Sequence, residues 1–197
     1  MMFSKLVFIV SLLFSVCVCA QELPTNFHEH DGLMKGAVPG FTKKKKSKFD
    51  PVSAKRQILS LYKDKGVRLI ISLDHCKDVR KVIAVINTEN VDFYLNHACR
   101  KIRSGKSQFS RNIELFRYIS SKIGKTRTFV HCRYGAHRAV TAVTGAWIDR
   151  RGVPFDEAFV LSGGKLRSFR SPGQVALLGH ARRYARMDPL AGECRVD

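Results

Sequence analysis

The sequence predicts an α/β fold in which helices flank a central, mostly parallel sheet. Segments whose apolar residues recur at helical spacing alternate along the chain with short apolar runs that are typical of buried strands. A glycine marks the change from helix to strand at two junctions, as Gly66 does before Val67–Leu73. Units of helix, glycine and strand build parallel sheets, in which ligands bind at the carboxyl ends of the strands.

The first twenty residues predict a secretory signal peptide. A basic residue, Lys5, precedes an almost wholly apolar run, and small residues end the segment at Ala20. The run is too short to span a bilayer, so we expect cleavage after Ala20 and export to the periplasm or the medium; an uncleaved anchor and a lipoprotein are the alternatives. No later segment is apolar and long enough for a membrane span. The expected division is a signal peptide (1–20), an irregular N-terminal arm (21–32) and a single domain (33–197).

That domain is expected to begin with a strand, a basic loop and a helix. Leu33–Pro39 has the composition of a short edge strand, and Lys43–Lys46 is either a solvated loop or a contact to substrate. Asp50 followed by Pro51 is typical of a helix start, because the carboxylate caps free N–H groups and proline fits the first helical position.

Two further strands are expected before a basic segment. Val67–Leu73 predicts a buried strand that ends at Asp74 and His75, so the topology places these side chains near a site. A helical pattern follows, and Val91–His97 alternates as a strand. The basic, irregular segment Ala98–Gln108 comes next.

The second half of the domain is expected to hold one strand between helices. Apolar residues at helical spacing over Phe109–Ile123 predict a helix, and Thr126–His131 predicts a strand. The helix after Arg138 is apolar on most sides, so it is expected to be buried. Further helices are expected to begin near Phe155 and at Ser171, which a proline follows.

The segment from His131 to Arg138 carries the chemistry of the predicted site. It has the pattern of a strand that ends on Cys132, a tight loop, and a helix that begins at Arg138. Backbone N–H groups of such a loop converge with the positive end of the helix and favour a phosphate-like dianion. This positive charge also favours the thiolate of Cys132, and the planar fork of Arg138 can bind two phosphate oxygens. The residues expected to surround the anion are His131, Arg133, Tyr134, Gly135, Ala136 and His137.

The pattern resembles the signature His-Cys-x-x-Gly-x-x-Arg of the cysteine-dependent phosphatases, the protein tyrosine phosphatase superfamily. That superfamily includes tyrosine phosphatases, dual-specificity phosphatases and the tyrosine-phosphatase-like phytases of bacteria. The resemblance covers roughly residues 33–184 and implies a dual-specificity-like phosphatase domain that needs no cofactor and no metal. It implies that Cys132 forms a phosphocysteine, that Arg138 and the loop amides hold the phosphate oxygens, and that His131 fixes the loop by bonding backbone.

Two positions depart from the family pattern. Dual-specificity phosphatases carry a general-acid Asp in the loop that corresponds here to Cys99–Lys106, which has four cations and no Asp or Glu. The candidate acids are Asp74, Asp92 and His97, and Asp74 is the best placed because Asp92 begins its strand at the wrong end of the sheet. Otherwise water or the substrate supplies the proton. The family has Ser or Thr directly after the arginine, whereas Ala139 stands here, which predicts slow breakdown of the intermediate.

The charge favours a polyanionic substrate. The formal net charge is +19, and an excess of this size costs folding stability, so a strongly anionic partner is expected. A basic loop in place of an acidic one argues for a ligand with many phosphates. The expected export agrees with the tyrosine-phosphatase-like phytases of bacteria, which the resemblance includes. We therefore expect an exported phosphatase of inositol polyphosphates, including phytate. The cations expected to bind this substrate are Lys77, Arg100, Lys101, Arg103 and Lys106.

Three other functions stay open. The first is a dual-specificity or tyrosine protein phosphatase, and the second is a pyrophosphate or polyphosphate phosphatase. The third belongs to another class, a catalytically weak module that binds a polyanion. Nucleic acid and an anionic membrane surface are less favoured partners; for nucleic acid the reason is that aromatic residues are not interleaved with the cations.

Cysteine spacing fits neither a disulfide scaffold nor a zinc site. Cys76, Cys99, Cys132 and Cys194 follow the predicted signal peptide, and no two of them form a Cys-x-x-Cys pair. A bridge from Cys99 to either Cys76 or Cys194 stays open.

Overall fold

Five strands form one sheet in a computed structural model that describes residues 22–41, 49–89 and 92–187. The strands are β1 (His28–His30), β2 (Leu33–Ala37), β3 (Leu69–Ser72), β4 (Asn96–Cys99) and β5 (Thr128–Cys132). They lie in the order β1-β2-β5-β3-β4, and only the β1–β2 pair is antiparallel. The mostly parallel sheet predicted from the sequence is therefore confirmed.

Six α-helices flank this sheet within the described residues. They are α1 (Pro51–Lys63), α2 (Cys76–Glu89), α3 (Phe109–Ser120), α4 (Arg138–Arg151), α5 (Phe155–Leu161) and α6 (Pro172–Ala185). Ile70 and Phe129 pack with α1 and α2, whereas the neighbouring Ile71 and Val130 pack with α3 to α6. The central strands are thus buried on both faces, as is usual in parallel sheets.

Helix starts agree with the capping signals in the sequence. The Asp50 carboxylate accepts a hydrogen bond of 3.0 Å from the Val52 N–H, and Ser171 and Gln174 form a capping box at the start of α6. Helix α4 begins at Arg138, and its residues 139–148 are buried as predicted.

β2 is an inner strand, and the prediction of an edge strand is wrong. It pairs with β1 on one side and with β5 on the other, and all five of its residues are buried. The sequence Leu-Met-Lys-Gly-Ala contains no β-branched residue, although such residues are typical of inner strands. The edge strand on this side of the sheet is β1, which lies inside residues 21–32, so that arm is not irregular throughout.

β4 begins later than the alternation over Val91–His97 predicts. Phe93 and Leu95 are buried, which explains the alternation, but they precede the strand. β3 begins at Leu69, which pairs with Asn96, so the earlier residues have no strand residue of β3 to pair with. The alternation of apolar and polar residues in this segment therefore reflects the burial of side chains in a loop and not a strand.

The register brings three strand ends together at one place. Ala37 lies opposite Cys132, and Ser72 lies opposite His131, so β2, β3 and β5 end side by side. Parallel sheets bind ligands at this edge.

Three sequence predictions concern residues outside the described ranges: the signal peptide, the lysine run at 43–46 and any bridge to Cys194. Within the ranges that are described, no helix combines the length and the apolar character needed to cross a membrane.

Candidate active site

The loop between β5 and α4 places Cys132 and Arg138 at its two ends. Cys132 is the last residue of β5, its exposed fraction is 3%, and it is the free cysteine of the described residues. Arg138 is the first residue of α4, so the free N–H groups of the helix start lie beside the loop. This arrangement is the one predicted from the sequence.

Gly135 allows this loop to lie against β2. Its φ is +65°, and a Cβ atom there would lie 2.2 Å from the Gly36 carbonyl carbon and 2.4 Å from the Ala37 nitrogen. A β-bridge joins Ala37 to Tyr134, the residue before the glycine. No residue with a side chain fits this position without displacement of the backbone.

Asp74 holds Arg138. One Asp74 carboxylate oxygen lies 3.2 Å from Nη2 of Arg138, and Nη1 donates to the Leu73 carbonyl at 3.4 Å. The other Asp74 oxygen accepts from the His75 N–H at 3.1 Å. The guanidinium is therefore oriented by the end of β3 before any anion binds.

Ser72 connects two histidines beneath the loop. Its hydroxyl oxygen lies 2.6 Å from Nε2 of His131 and 2.7 Å from Nε2 of His97. Burial lowers the pKa of His131 to about 3 and the pKa of His97 to about 4, so both rings are neutral at neutral pH. His131 was expected to bond backbone through its ring, but its ring bonds the Ser72 side chain, which the sequence alone did not single out.

The nucleophile candidate and the arginine share a cavity of about 760 Å³. The lining residues from the end of β5, the loop and the start of α4 are Cys132, Arg133, Tyr134, His137 and Arg138. The other walls come from the basic segment and from the start of α6: Ile102, Arg103, Ser104, Gly105, Ser107, Gln108, Ser171, Gly173, Gln174 and Leu177. A cavity of this size accommodates a small organic ligand.

A second cavity of about 510 Å³ adjoins the first. Ile102, Arg103 and Arg138 line both of them. The remaining walls of the second cavity are Ser72, Leu73, Asp74, His75, Cys76, Cys99, Arg100 and Lys101. Arg138 therefore stands between the two cavities.

The predicted substrate cations separate into two groups. Arg100, Lys101 and Arg103 line one or both cavities. Lys77 and Lys106 are exposed and line neither cavity. The structure thus brings three of the five predicted cations to the site.

Two anchors fix the basic segment. A disulfide joins Cys99, at its start, to Cys76 in the first turn of α2, with a Cα–Cα distance of 5.8 Å. The Asn112 amide donates to the Arg103 carbonyl at 2.7 Å, and its oxygen accepts from the Arg103 N–H at 3.4 Å. Asn112 also contacts His180 at 2.7 Å. This buried clamp from α3 gives no signal in the sequence.

The start of α6 supports His137. Nε2 of this ring lies 2.6 Å from the Ser168 carbonyl oxygen and must donate to it, because a carbonyl only accepts. Nδ1 then accepts from the Gln174 amide at 3.4 Å. Gln174 is a further site residue that the sequence analysis missed.

None of the candidate acids lies in the first cavity. No Asp or Glu is among the residues that line it. Asp74 lines the second cavity and is bound to Arg138, and Asp92 precedes β4 at the far end of the sheet. His97 is neutral, and its Nε2 is occupied by Ser72. The proton for a leaving group therefore has no side-chain carboxyl donor in the cavity that holds Cys132.

One group of side chains in the described residues has the spacing of a metal site. Ligand atoms of Cys76, His97 and Cys99 lie within 4.8 Å of one another. The two sulfurs are bonded to each other, so they are not available as thiolate ligands in this state.

The fold is shared with phosphatases of known structure. Kinase associated phosphatase (KAP), with its catalytic site cysteine replaced by serine, matches with a TM-score of 0.59 at 14% identity over 86% of this chain and 98% of that chain. PTPMT1 in complex with PI(5)P matches with a TM-score of 0.54 at 16% identity over 85% and 99% of the two chains. A mouse putative dual specificity phosphatase complexed with zinc tungstate matches with a TM-score of 0.51 at 12% identity over 83% and 89%.

No model of a protein family matches this chain, and no curated protein matches its sequence. The structural likeness establishes the fold, which is that of the dual-specificity phosphatases.

Proposed function

We propose that this protein is an exported cysteine phosphatase that hydrolyses phosphomonoesters of inositol polyphosphates, including phytate. The observation that carries the proposal is the position of Cys132 and Arg138 at the two ends of one loop, where both line one cavity. The fold, which known phosphatases share, agrees with this chemistry.

In the first step the Cys132 thiolate attacks phosphorus and the ester P–O bond breaks. A P–S bond forms, and the leaving oxygen departs with the bonding electron pair and takes up a proton. Arg138 and the loop N–H groups bind the three non-bridging oxygens as charge moves onto the leaving group. Arg138 is suited to this role because Asp74 and Leu73 already orient its guanidinium.

In the second step water attacks phosphorus and the P–S bond breaks, which releases inorganic phosphate and restores the thiolate. Ala139 is 0% exposed and has no hydroxyl to assist departure of the sulfur. We therefore expect breakdown of the phosphocysteine to limit turnover.

The proton for the leaving oxygen is assigned to water or to the substrate. No carboxylate lines the cavity of Cys132. In a polyphosphorylated substrate a neighbouring phosphate, whose second pKa is about 6, carries a proton part of the time at neutral pH. A substrate with several phosphates thus supplies the proton that no carboxyl group in this cavity donates.

The two cavities support a substrate that carries several phosphates. With one phosphate on the loop at Arg138, the ligand extends past Arg103 toward Arg100 and Lys101. Each further phosphate gives one of these cations a partner. PTPMT1, which shares the fold, binds PI(5)P in its solved structure.

The disulfide supports the proposal of export. Disulfides form and persist in oxidising compartments and are rare in the cytosol. The Cys76–Cys99 bond therefore agrees with the signal peptide expected at residues 1–20.

Phosphate release from phytate, pyrophosphate and a phosphotyrosyl peptide tests the proposal. We expect phytate to be preferred at physiological salt and Cys132→Ser to release no phosphate. Lys101→Met and Arg103→Met are expected to raise KM for phytate about tenfold each, as is usual for a lost charge-assisted contact. Lys77→Met and Lys106→Met are the matched controls, because these lysines line neither cavity.

Other outcomes of the phosphate-release assay would indicate a different function. A preference for the peptide or for pyrophosphate refutes the inositol polyphosphate assignment and keeps the phosphatase. Tight phytate binding without phosphate release from any substrate indicates the polyanion-binding module instead. An equal increase in KM for phytate in all four lysine and arginine variants would contradict the role given to the two cavities.

A further inference from the structure

We propose that Lys35 is a positioning residue of the active site, which fixes the phosphate-binding loop from behind. This inference rests on the proposed role of that loop in binding phosphate. Its geometric basis is independent of the substrate.

Lys35 occupies an unusual place for a lysine. It lies in the inner strand β2, opposite Val130 of β5, and is 5% exposed. Buried lysines are rare unless they are paired. Among the described residues no carboxylate forms an ion pair with it. A buried cation without a carboxylate partner needs another source of compensation.

That compensation comes from backbone carbonyls next to the active site. The Lys35 ammonium donates to the Gly135 carbonyl at 3.3 Å and to the Asn26 carbonyl at 3.2 Å. The Asn26 side-chain amide donates to the adjacent Tyr134 carbonyl at 2.6 Å. Two successive loop carbonyls are thus held on the side away from the active-site cavity.

Peptide geometry transmits this restraint to the anion site. The C=O and N–H of a trans peptide point in opposite directions. Fixing the Gly135 carbonyl on Lys35 therefore directs the Ala136 N–H away from Lys35. Without Lys35 this peptide unit loses its anchor, and the loop N–H groups lose part of their common orientation.

Lys35 also interacts electrostatically with its neighbours. Burial lowers the pKa of Lys35 to about 8, while the negative charge of Cys132 acts to raise it and Lys165 acts to lower it. The pKa of His28, in β1, is lowered by its burial and also by the charge of Lys35. These interactions agree with the position of the Lys35 ammonium directly behind the loop that carries Cys132.

Binding of inorganic phosphate, measured by isothermal titration calorimetry, tests the proposal. We expect Lys35→Met to weaken phosphate binding about tenfold, the size typical of a lost contact to a charged group. Lys35→Arg is expected to stay near the wild-type affinity because it keeps the charge and can still donate to the Gly135 carbonyl. Lys165→Met is the matched control, since this exposed lysine lines the same small cavity behind the loop.

A merely structural role for Lys35 predicts a lower melting temperature and an unchanged phosphate affinity, and that result overturns the proposal. If Lys35→Met does not fold, the wild-type protein gives the answer through NMR of the Lys35 side chain. Addition of inorganic phosphate is expected to shift the ¹⁵Nζ resonance of Lys35, and an unchanged resonance overturns the proposal. Neither readout measures catalysis, so a failure of the phosphatase assignment remains distinguishable.

Discussion

Removal of the Cys76–Cys99 disulfide tests how the basic segment is held. The bond closes a loop with a sequence separation of 23 residues. In the chain-entropy account a loop of this length lowers the entropy of the unfolded chain by about 11 cal/mol/K, which corresponds to about 3.4 kcal/mol at 25 °C. We expect Cys76→Ser/Cys99→Ser to lose about 2–4 kcal/mol of the free energy of unfolding, because measured effects fall in that range.

Urea denaturation followed by circular dichroism measures this loss, and the melting temperature is expected to fall by about 5–15 °C. The same double variant should raise KM for phytate more than KM for a small aryl phosphate. The reason is that Arg100 and Lys101 directly follow Cys99, whereas Asn112 still holds Arg103.

Cys194→Ser is the control, because the structure pairs Cys99 with Cys76. A double variant with the wild-type urea midpoint and slope would refute the entropy argument. A stability loss in Cys194→Ser equal to that of the double variant would show that the pairing is different.

Three further predictions concern the loop and its support. Gly135→Ala is expected to abolish phosphate release and to lower the free energy of unfolding by more than about 1 kcal/mol, because the left-handed backbone and the contact to β2 both exclude a Cβ. Ala139→Ser should accelerate steady-state turnover if phosphocysteine breakdown is limiting. Rapid-quench assays measure this as a smaller initial burst of the dephosphorylated product. The free energy of unfolding should fall as pH drops below 6.5, because the unfolded chain then protonates His131. The folded state keeps this ring neutral down to a pKa of about 3. The expected loss from His131 is about 1.4 kcal/mol per pH unit. His97 adds a smaller part, since its pKa is lowered only to about 4.

Each of these has an outcome that contradicts it. Wild-type activity in Gly135→Ala would mean that the loop does not depend on its contact with β2. For Ala139→Ser, an unchanged burst would mean that another step limits turnover. Ala142→Ser adds the same hydroxyl to the same buried helix and controls for overpacking. Equal free energies of unfolding at pH 7 and pH 5 would contradict the neutral state assigned to His131.

Local signals in the sequence predicted the loop and most helices. Strand β5, the loop and the start of α4 are contiguous, and so are the cap Asp50 and its helix, so the determinants lie within a few residues. The conformation of Gly135 follows from the same local pattern. Properties of this kind are readable because neighbouring residues decide them.

Contacts between distant segments could not be predicted in this way. Ser72 and His131 are 59 residues apart, and Lys35 and Gly135 are 100 apart. β2 becomes an inner strand only because β1 pairs with its other edge, which its own composition does not indicate. The roles of these residues depend on strand order, and strand order has no local signal.

The tight contact between Gly135 and β2 has a consequence for selectivity among anions. Because the backbone of Gly36 and Ala37 restricts the path of the loop at Gly135, the shape of the proposed anion site exists before any ligand arrives. A preformed site loses little conformational entropy on binding, so it rewards ligands that already have its shape. Tetrahedral oxyanions such as sulfate, arsenate and phosphate should therefore compete with one another at this loop according to size and charge, whereas planar anions such as nitrate should compete more weakly.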